Sequence, residues 1–460
     1  MFEFGRELRR FFGGEGALRP PQDGLTGGDA ALLELLDLSL LRSEGKAADV
    51  AAGRISAKDK AQRQLESAIV WREIARRSGD AAALRKAAAL AEAAAAAFDR
   101  HRRPDGWARA RCEQAFCAIL GAELFGDDGL NAAAEIAFRE ARAAARGGLA
   151  APLADVGLAA VEGRRRMIAG DAQAARVAAA RFTAPITALQ ALVRRCSAAR
   201  LLVAESRAIR ADMLAGWGAR LKDRDILGMA LDEADDALSG IDEVYEPLTY
   251  ARISVLHGQI LSLMGEVTGE VEVLSDGVDS IAAVLDDLSR DHSPLDWAKG
   301  QVALAQAVQA LGEATASERA YEQAVTCFDR ANVILKKSPS LSLRAVAASN
   351  RALCLARSAE LSGDLGVLDA AEAAFKIELS EHQGRRDPVG WALVQVNLAR
   401  IYEARIEITG KDRGERAAAA VALTAAFDVF AEEGLRSFSI IAVEGLERLR
   451  SGLPTPRTAV

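Results

Sequence analysis

From Trp297 onward the chain places apolar or small residues, with Gln301 among them, at spacings of three and four: Ala298, Gln301, Leu304, Ala305, Val308 and Leu311. That is the period of one helical face. A second kind of helix follows, dense in alanine and closed by a late phenylalanine, as in Ala93 to Phe98, Ala324 to Phe328, Ala371 to Phe375 and Ala422 to Phe427. The two kinds, A and B, alternate along the chain, and small residues on B let the next A pack closely. Alternating β-branched patterns are nearly absent, so the expected fold class is all-α.

A short phrase opens the A helices: Pro-Asp-Gly-Trp-Ala at Pro104, Pro-Leu-Thr-Tyr-Ala at Pro247, Pro-Leu-Asp-Trp-Ala at Pro294 and Pro-Val-Gly-Trp-Ala at Pro388. Ser293-Pro294, Ser338-Pro339 and Asp387-Pro388 set a side chain able to accept first-turn amides directly before a proline. Proline suits the first helical position because its missing N–H is not needed there. It also disfavours helix in the residue before it, so one phrase closes a helix and opens the next. Successive starts lie 48 residues apart from Pro104 to Pro152, 47 from Pro247 to Pro294, 45 from Pro294 to Pro339 and 49 from Pro339 to Pro388. A further unit, without the proline, fits Ser56 to Arg103. Gly265 and Gly312 follow Tyr250 and Trp297 by fifteen residues, as Gly170 follows Asp155. That placing suits a left-handed turn at a helix end.

Gly163, Gly170 and Ala175 resemble the small–small–Ala signature of the tetratricopeptide repeat. Trp391-Ala392 with Gln395, Asn397-Leu398-Ala399 and Tyr402 is similar to its longer, kinesin-light-chain-like bacterial variety. The resemblance covers about Ser56 to Gly434. It implies an α–α superhelix, a solenoid of helical hairpins whose inner, A-lined surface holds a peptide or partner protein. Units of this length exceed the usual ~34 residues, so helices or loops are extended. Terminal units lack a neighbour and need caps. The expected organisation is an amphipathic helix and flexible linker over 1–28, then a capping helix within 29–55, carried by Ala31 to Leu41. A first block over 56–184 and an irregular connecting hairpin over 185–246 follow. A second block over 247–434, a capping helix over 435–450 and a mobile tail over 451–460 complete the chain. Trp217, in the connecting segment, reads as a packing residue, with a surface anchor for a partner as the alternative.

Composition agrees with close-packed helices: half the residues are apolar, only 5% are aromatic, and alanine dominates. Arginine far outnumbers lysine, which with the alanine points to a high-GC bacterial genome. Charge is uneven. Sixteen acidic residues face two basic ones between Asp225 and Asp291, whereas Arg102 to Arg224 holds twenty basic and thirteen acidic. These read as solvated helix faces or as two partner surfaces. The overall charge of −7 and the few aromatics in the basic stretch argue against nucleic acid. Cys112, Cys117, Cys196, Cys327 and Cys354 form no Cys-x-x-Cys pair and read as small buried thiols in a reducing compartment. The start, Met1-Phe2-Glu3-Phe4, lacks a secretory leader, and no run is long enough to span a membrane; the expected location is the cytoplasm.

Chemistry is not visible in the sequence. No Gly-x-x-x-x-Gly-Lys loop, Gly-x-Ser-x-Gly elbow or His-Glu-x-x-His occurs. Of His101, His257, His292 and His382, three lie just before repeat starts. Even with all the turns on one edge they would stand a full repeat or more apart, too far to share a metal, and they read as solvent-facing turn residues. The expectation is a non-enzyme with no cofactor or metal, a scaffold or adaptor for a protein or peptide. Candidate contacts are the polar A-helix residues Arg109, Gln114, Gln301, Gln306, Gln395, Asn397 and Arg400. A regulatory sensor switched by a small peptide is one alternative. A second rests on the N-terminus, where Phe4, Leu8, Phe11 and Phe12 share one side of a short helix and Arg6, Arg9 and Arg10 lie elsewhere. Such a helix would dock on the array, bind a partner, or make weak contact with an anionic membrane, giving a membrane-peripheral recruitment factor.

Overall fold

The computed structural model describes residues 32–53, 59–167, 170–196, 198–336, 340–381 and 388–452. All regular structure among them is helical, as expected. The N-terminal docking residues Phe4 to Phe12, Ser338, Pro339, His382, Asp387 and the tail beyond Gly452 lie outside the described residues.

The A-type helices are α2 (Lys60–Ser78), α4 (Pro104–Phe125), α6 (Ala150–Met167), α9 (Ala198–Leu221), α11 (Pro247–Thr268), α13 (Pro294–Thr315), α15 (Leu341–Ser362) and α17 (Pro388–Thr409). Their B partners are α3 (Ala81–Ala97), α5 (Asp128–Ala144), α7 (Ala172–Ala180), α10 (Arg224–Leu238), α12 (Val271–Asp287), α14 (Glu318–Leu335), α16 (Leu365–Glu381) and α18 (Glu415–Glu432). The remaining helices are α1 (Leu38–Gly53), α8 (Thr183–Leu192) and α19 (Arg436–Ser451). A and B helices pair as tetratricopeptide-like hairpins, and A helices also touch the next A helix, as α9 does α11 and α15 does α17. The chain forms two compact units, one holding Met1–Glu123 and Asp127–Gly300, the other Leu124–Gly126 and Gln301–Val460.

The phrase fixes a register. Helices α4, α11, α13 and α17 begin at its proline, and these four and α15 are each 22 residues long. Each of the four ends nineteen residues beyond its phrase aromatic in a left-handed residue: Trp107 to Gly126, Tyr250 to Gly269, Trp297 to Ala316 and Trp391 to Gly410. The left-handed turn is therefore four residues later than the glycines at the fifteenth place. Gly265 stays helical; a Cβ there would stand 2.8 Å from the Leu274 amide nitrogen and 3.0 Å from the Glu270 carbonyl oxygen. Its smallness lets the B helix start against the A helix. Gly170 does the same for Trp217, which is fully buried with its ring edge where a Cβ would be.

Two local expectations need correction. Ser293 does not accept first-turn amides; its hydroxyl donates to Asp296 Oδ2 at 2.6 Å. The stretch Ala31 to Leu41 is not one continuous helix. After a turn at Leu32–Glu34 the chain breaks, and α1 restarts at Leu38 with Asp37 accepting the Leu40 amide at 2.8 Å. The break persists because buried Arg77 donates to the carbonyls of Leu36 (2.7 Å) and Leu33 (2.8 Å), groups a straight helix would have used itself. In α18 Phe430 is buried and Phe427 half-buried. Within 185–246, α9 and α10 form a full hairpin, and the irregularity lies just before it, where α7 and α8 are short and divided at Arg181–Phe182. At the other end α19 packs on α17 and α18 through Phe438, Leu446 and Leu449.

Ala316 is the odd member of the closing series, an alanine at φ 50° where its counterparts are glycine. The left-handed region costs a Cβ-bearing residue about 1 kcal/mol. Ala316→Gly is expected to stabilise the protein by about that amount, read as a higher urea midpoint at unchanged slope.

Candidate functional site

Counted from the phrase aromatic, places two, six, nine, thirteen and sixteen of an A helix share one face, since they are three or four residues apart. Place sixteen is glutamate in α4, α11, α13, α15 and α17: Glu123, Glu266, Glu313, Glu360 and Glu407. The face is thus a polar stripe repeated from hairpin to hairpin.

In the first unit the charged residues of the A helices bond to one another. Arg72 of α2 holds Glu113 of α4, whose carboxylate is fully buried. Arg76 reaches Glu205 of α9 at 3.1 Å. Arg252 of α11 donates from Nε (2.9 Å) and Nη2 (2.6 Å) to Asp296, and from Nη2 to Glu73 of α2 at 3.1 Å. Burial alone would raise the Glu73 carboxyl, yet Arg252, Arg77 and Arg76 together hold it well below the usual range. Asp296 is likewise pulled below its usual value, against burial, by Arg252 first and by Lys299 and Arg76. Glu34 completes the closure. Its Oε2 accepts the amides of Leu248 and Thr249, both at 2.9 Å, and its Oε1 accepts the Thr249 hydroxyl. A residue at the start of the chain therefore caps the N-terminus of α11. Burial pushes the Glu34 carboxyl up, outweighing Arg252 and the Thr249 hydrogen bonds. His292 lies half-buried near Arg77, a correction to its reading as a solvent-facing turn residue, and burial lowers its pKa with Arg77 adding to the effect.

The second unit treats the same places differently. Asn350 of α15 and Asn397 of α17 both stand at place six, 4% and 2% exposed. Among the described residues nothing bonds to either carboxamide. Nη2 of Arg357 and Nε of Arg400 are buried without a hydrogen-bond partner. Burial first, then Arg448, lowers the pKa of Arg400.

The candidates drawn from sequence divide between these settings. Arg109 is buried at place two of α4, 4.0 Å from the Glu113 that Arg72 already occupies, and its Nε has no partner. Gln114 accepts from Arg111. Gln306 (half-buried), Asn397 and Arg400 lie on the stripe of the second unit. Gln301 and Gln395, at place four, sit on another side of their helices. Gln301 is buried with Oε1 unpartnered and Gln395 is half-buried. Asn350, Arg357, Glu403 and Arg448 were missed. Asn350 was findable: it precedes Asn397 by one unit, but Arg344 stands where its phrase aromatic should be, so the unit does not announce itself.

No protein-family model and no curated protein matches the sequence. Among solved structures, the chain is similar to a Rap protein crystallised in complex with competence and sporulation factor. Identity is 12% and the TM-score 0.43, over 86% of this chain and 98% of that one. It is also similar to a circular tandem repeat protein with novel repeat topology, at 14% identity and a TM-score of 0.27, over 92% and 97%. No helix among the described residues is long and apolar enough to cross a membrane.

Removing Arg252 would leave buried Asp296 with the Ser293 hydroxyl and no guanidinium, and Glu73 with Arg77 and Arg76. Arg252→Met is expected to cost about 3–5 kcal/mol at pH 7. Carboxyls with depressed folded pKa values stabilise above their unfolded values and lose that contribution as pH falls through the folded ones. In the variant the same groups are destabilising while ionised and are relieved by protonation. The difference from wild type should therefore shrink as pH falls from 7 towards 4.5, in urea unfolding at both pH values.

Proposed function

We propose that the chain is a non-catalytic scaffold that binds an extended peptide, or an extended segment of a partner protein, along the A-helix stripe of its second unit. The observation that carries this reading is the pair Asn350 and Asn397: the same place on two touching A helices, with neither carboxamide satisfied from within the chain. The polar atoms of neither carboxamide are sealed from solvent, so a partner's groups can reach the repeated pair without breaking a bond within the chain. A carboxamide donates and accepts at once, which matches the N–H and C=O of a peptide backbone whatever its side chains. Packed helices lie about 8–10 Å apart, so the two asparagines would meet backbone units roughly three residues apart in an extended segment. Gln306 and Arg357 supply further polar groups on the same stripe.

The test is selection of nine-residue peptides from a displayed library against the purified protein, followed by anisotropy titration of the winners. Asn350→Ala and Asn397→Ala should each weaken binding about tenfold, the worth of roughly one buried hydrogen bond. Tm should stay nearly the same, because the alanine breaks no hydrogen bond within the chain. Winners that bind the double variant as tightly as wild type would sink the reading.

A further inference from the structure

Three turns of the first unit meet at one edge. Glu34, in the turn before α1, grips the Leu248 and Thr249 amides at the start of α11. His292, in the turn before α13, lies against the backbone of Glu34 and Leu36. The turn between α10 and α11 leads into Leu248 and is well tied down. Asp242 Oδ1 accepts the amides of Val244 (2.9 Å) and Tyr245 (3.3 Å), and Glu246 Oε2 accepts the Asp242 amide (3.0 Å). Bonds of this kind fix a turn, and turns so fixed usually present polar residues. This one presents apolar ones: Val244 is 72% exposed and Tyr245 63%. Leu35 and Leu40, on either side of the break before α1, are exposed as well. A single exposed leucine needs no explanation, but four large apolar side chains on the turns of one edge do. The exposed charges of these turns are acidic: Asp37, Asp242, Glu243 and Asp291 against Arg290 alone.

We infer that this edge is the seat of the chain's own N-terminal segment, residues 4–12. Phe4, Leu8, Phe11 and Phe12 cover Leu35, Leu40, Val244 and Tyr245, and Arg6, Arg9 and Arg10 turn towards the acidic turns. Two observations choose this occupant. One is reach. The described chain starts at Leu32, two residues before Glu34, so the connection to the segment begins at the edge itself. Nineteen residues, six of them glycine, separate Phe12 from Leu32. A glycine-rich chain of that length spans about 25 Å on average and holds its end at an effective concentration near millimolar. An apolar contact too weak to capture a free peptide is therefore enough for a tethered one. The other is charge: residues 4–12 carry three arginines and one glutamate, the complement of the turns they meet. The seat gives the amphipathic segment an internal alternative to a membrane or a second copy of the chain, either of which would have to release it first. All of these residues lie in the first unit, so the inference is independent of the peptide site proposed for the second.

The experiment places the photo-crosslinker p-benzoylphenylalanine at Phe11 of the full chain, irradiates dilute protein and maps the adducts by mass spectrometry. The expected result is adducts within 35–40 or 242–246 of the same chain, in the monomer band, at a yield that dilution leaves unchanged. Val244→Ser combined with Tyr245→Ser should lower the docking constant about tenfold and the adduct yield severalfold. Both side chains are exposed, so Tm should hardly move. Glu243→Arg should lower the yield about twofold through charge alone. Adducts confined to crosslinked dimers, or a yield that falls with dilution, would assign the edge to a second copy and overturn the inference. Adducts elsewhere on the chain would overturn it too, as would a yield that the double substitution leaves unchanged. Phosphatidylglycerol vesicles supply the membrane arm. The adducts to the edge should persist in their presence; replacement of those adducts by lipid adducts would make the membrane the occupant and reject the seat.

Discussion

Arg252 lies between the carboxylates of Glu73 and Asp296, and the first unit is arranged so that this buried cation is matched on both sides. Glu73 belongs to α2 and Asp296 to α13, so the pairing ties an early part of the unit to its last helix. An ion pair of this kind adds little net stability over an apolar contact of equal volume, but losing one member is severe. Its effect is therefore on which arrangement forms. A stacking of hairpins that failed to bring α2 to α11 would leave Glu73 to Arg77 and Arg252 to Asp296, and would lose the contact that joins the two pairs. The Glu34 cap on α11 works in the same sense: the free amides of a proline-led helix are satisfied from outside the helix, by one residue near the chain's start.

Local features of the fold were legible because their causes are local. Pro104, Pro247, Pro294 and Pro388 open A helices since proline has no amide to satisfy at a first turn, and the alanine-rich B segments leave no other period to choose. The fifteenth-place glycines were seen but their purpose was misjudged. Both a left-handed turn and a close helix approach call for glycine, and only the position of the neighbouring helix tells them apart. Ser293 had the composition of a cap and was drawn away by Asp296, a stronger acceptor three residues on.

The features that bear on function depend on distant residues, and no pattern in the chain joins them. Glu34 and Thr249 are more than two hundred residues apart, and nothing around Glu34 distinguishes it from the other acidic residues of an amphipathic helix. Arg109 was a reasonable candidate by type and place. Its neighbours Arg72 and Glu113 make it part of a closed layer, which could be known only once α2 and α4 were side by side. Asn350 failed for a different reason: its unit lost the aromatic that would have set the numbering.

The same stripe of A-helix places leads to two outcomes, and the difference follows from which charges occupy it. In the first unit the pairs Arg72–Glu113, Arg76–Glu205 and Arg252–Glu73 occupy the face from within, although Arg109 keeps an unpartnered Nε. In the second, place six carries uncharged carboxamides, too short to reach a neighbour's stripe and without a charge to attract one. The arginines that remain, Arg400 and Arg448, face one carboxylate that burial itself disfavours. A surface whose hydrogen-bonding groups are mutually satisfied gains little from a ligand, because each new bond must break an old one. A surface whose groups are buried and unsatisfied gains the full value of each bond formed. On that ground the binding face proposed above is placed on α15 and α17, although the first unit holds the greater number of charged residues.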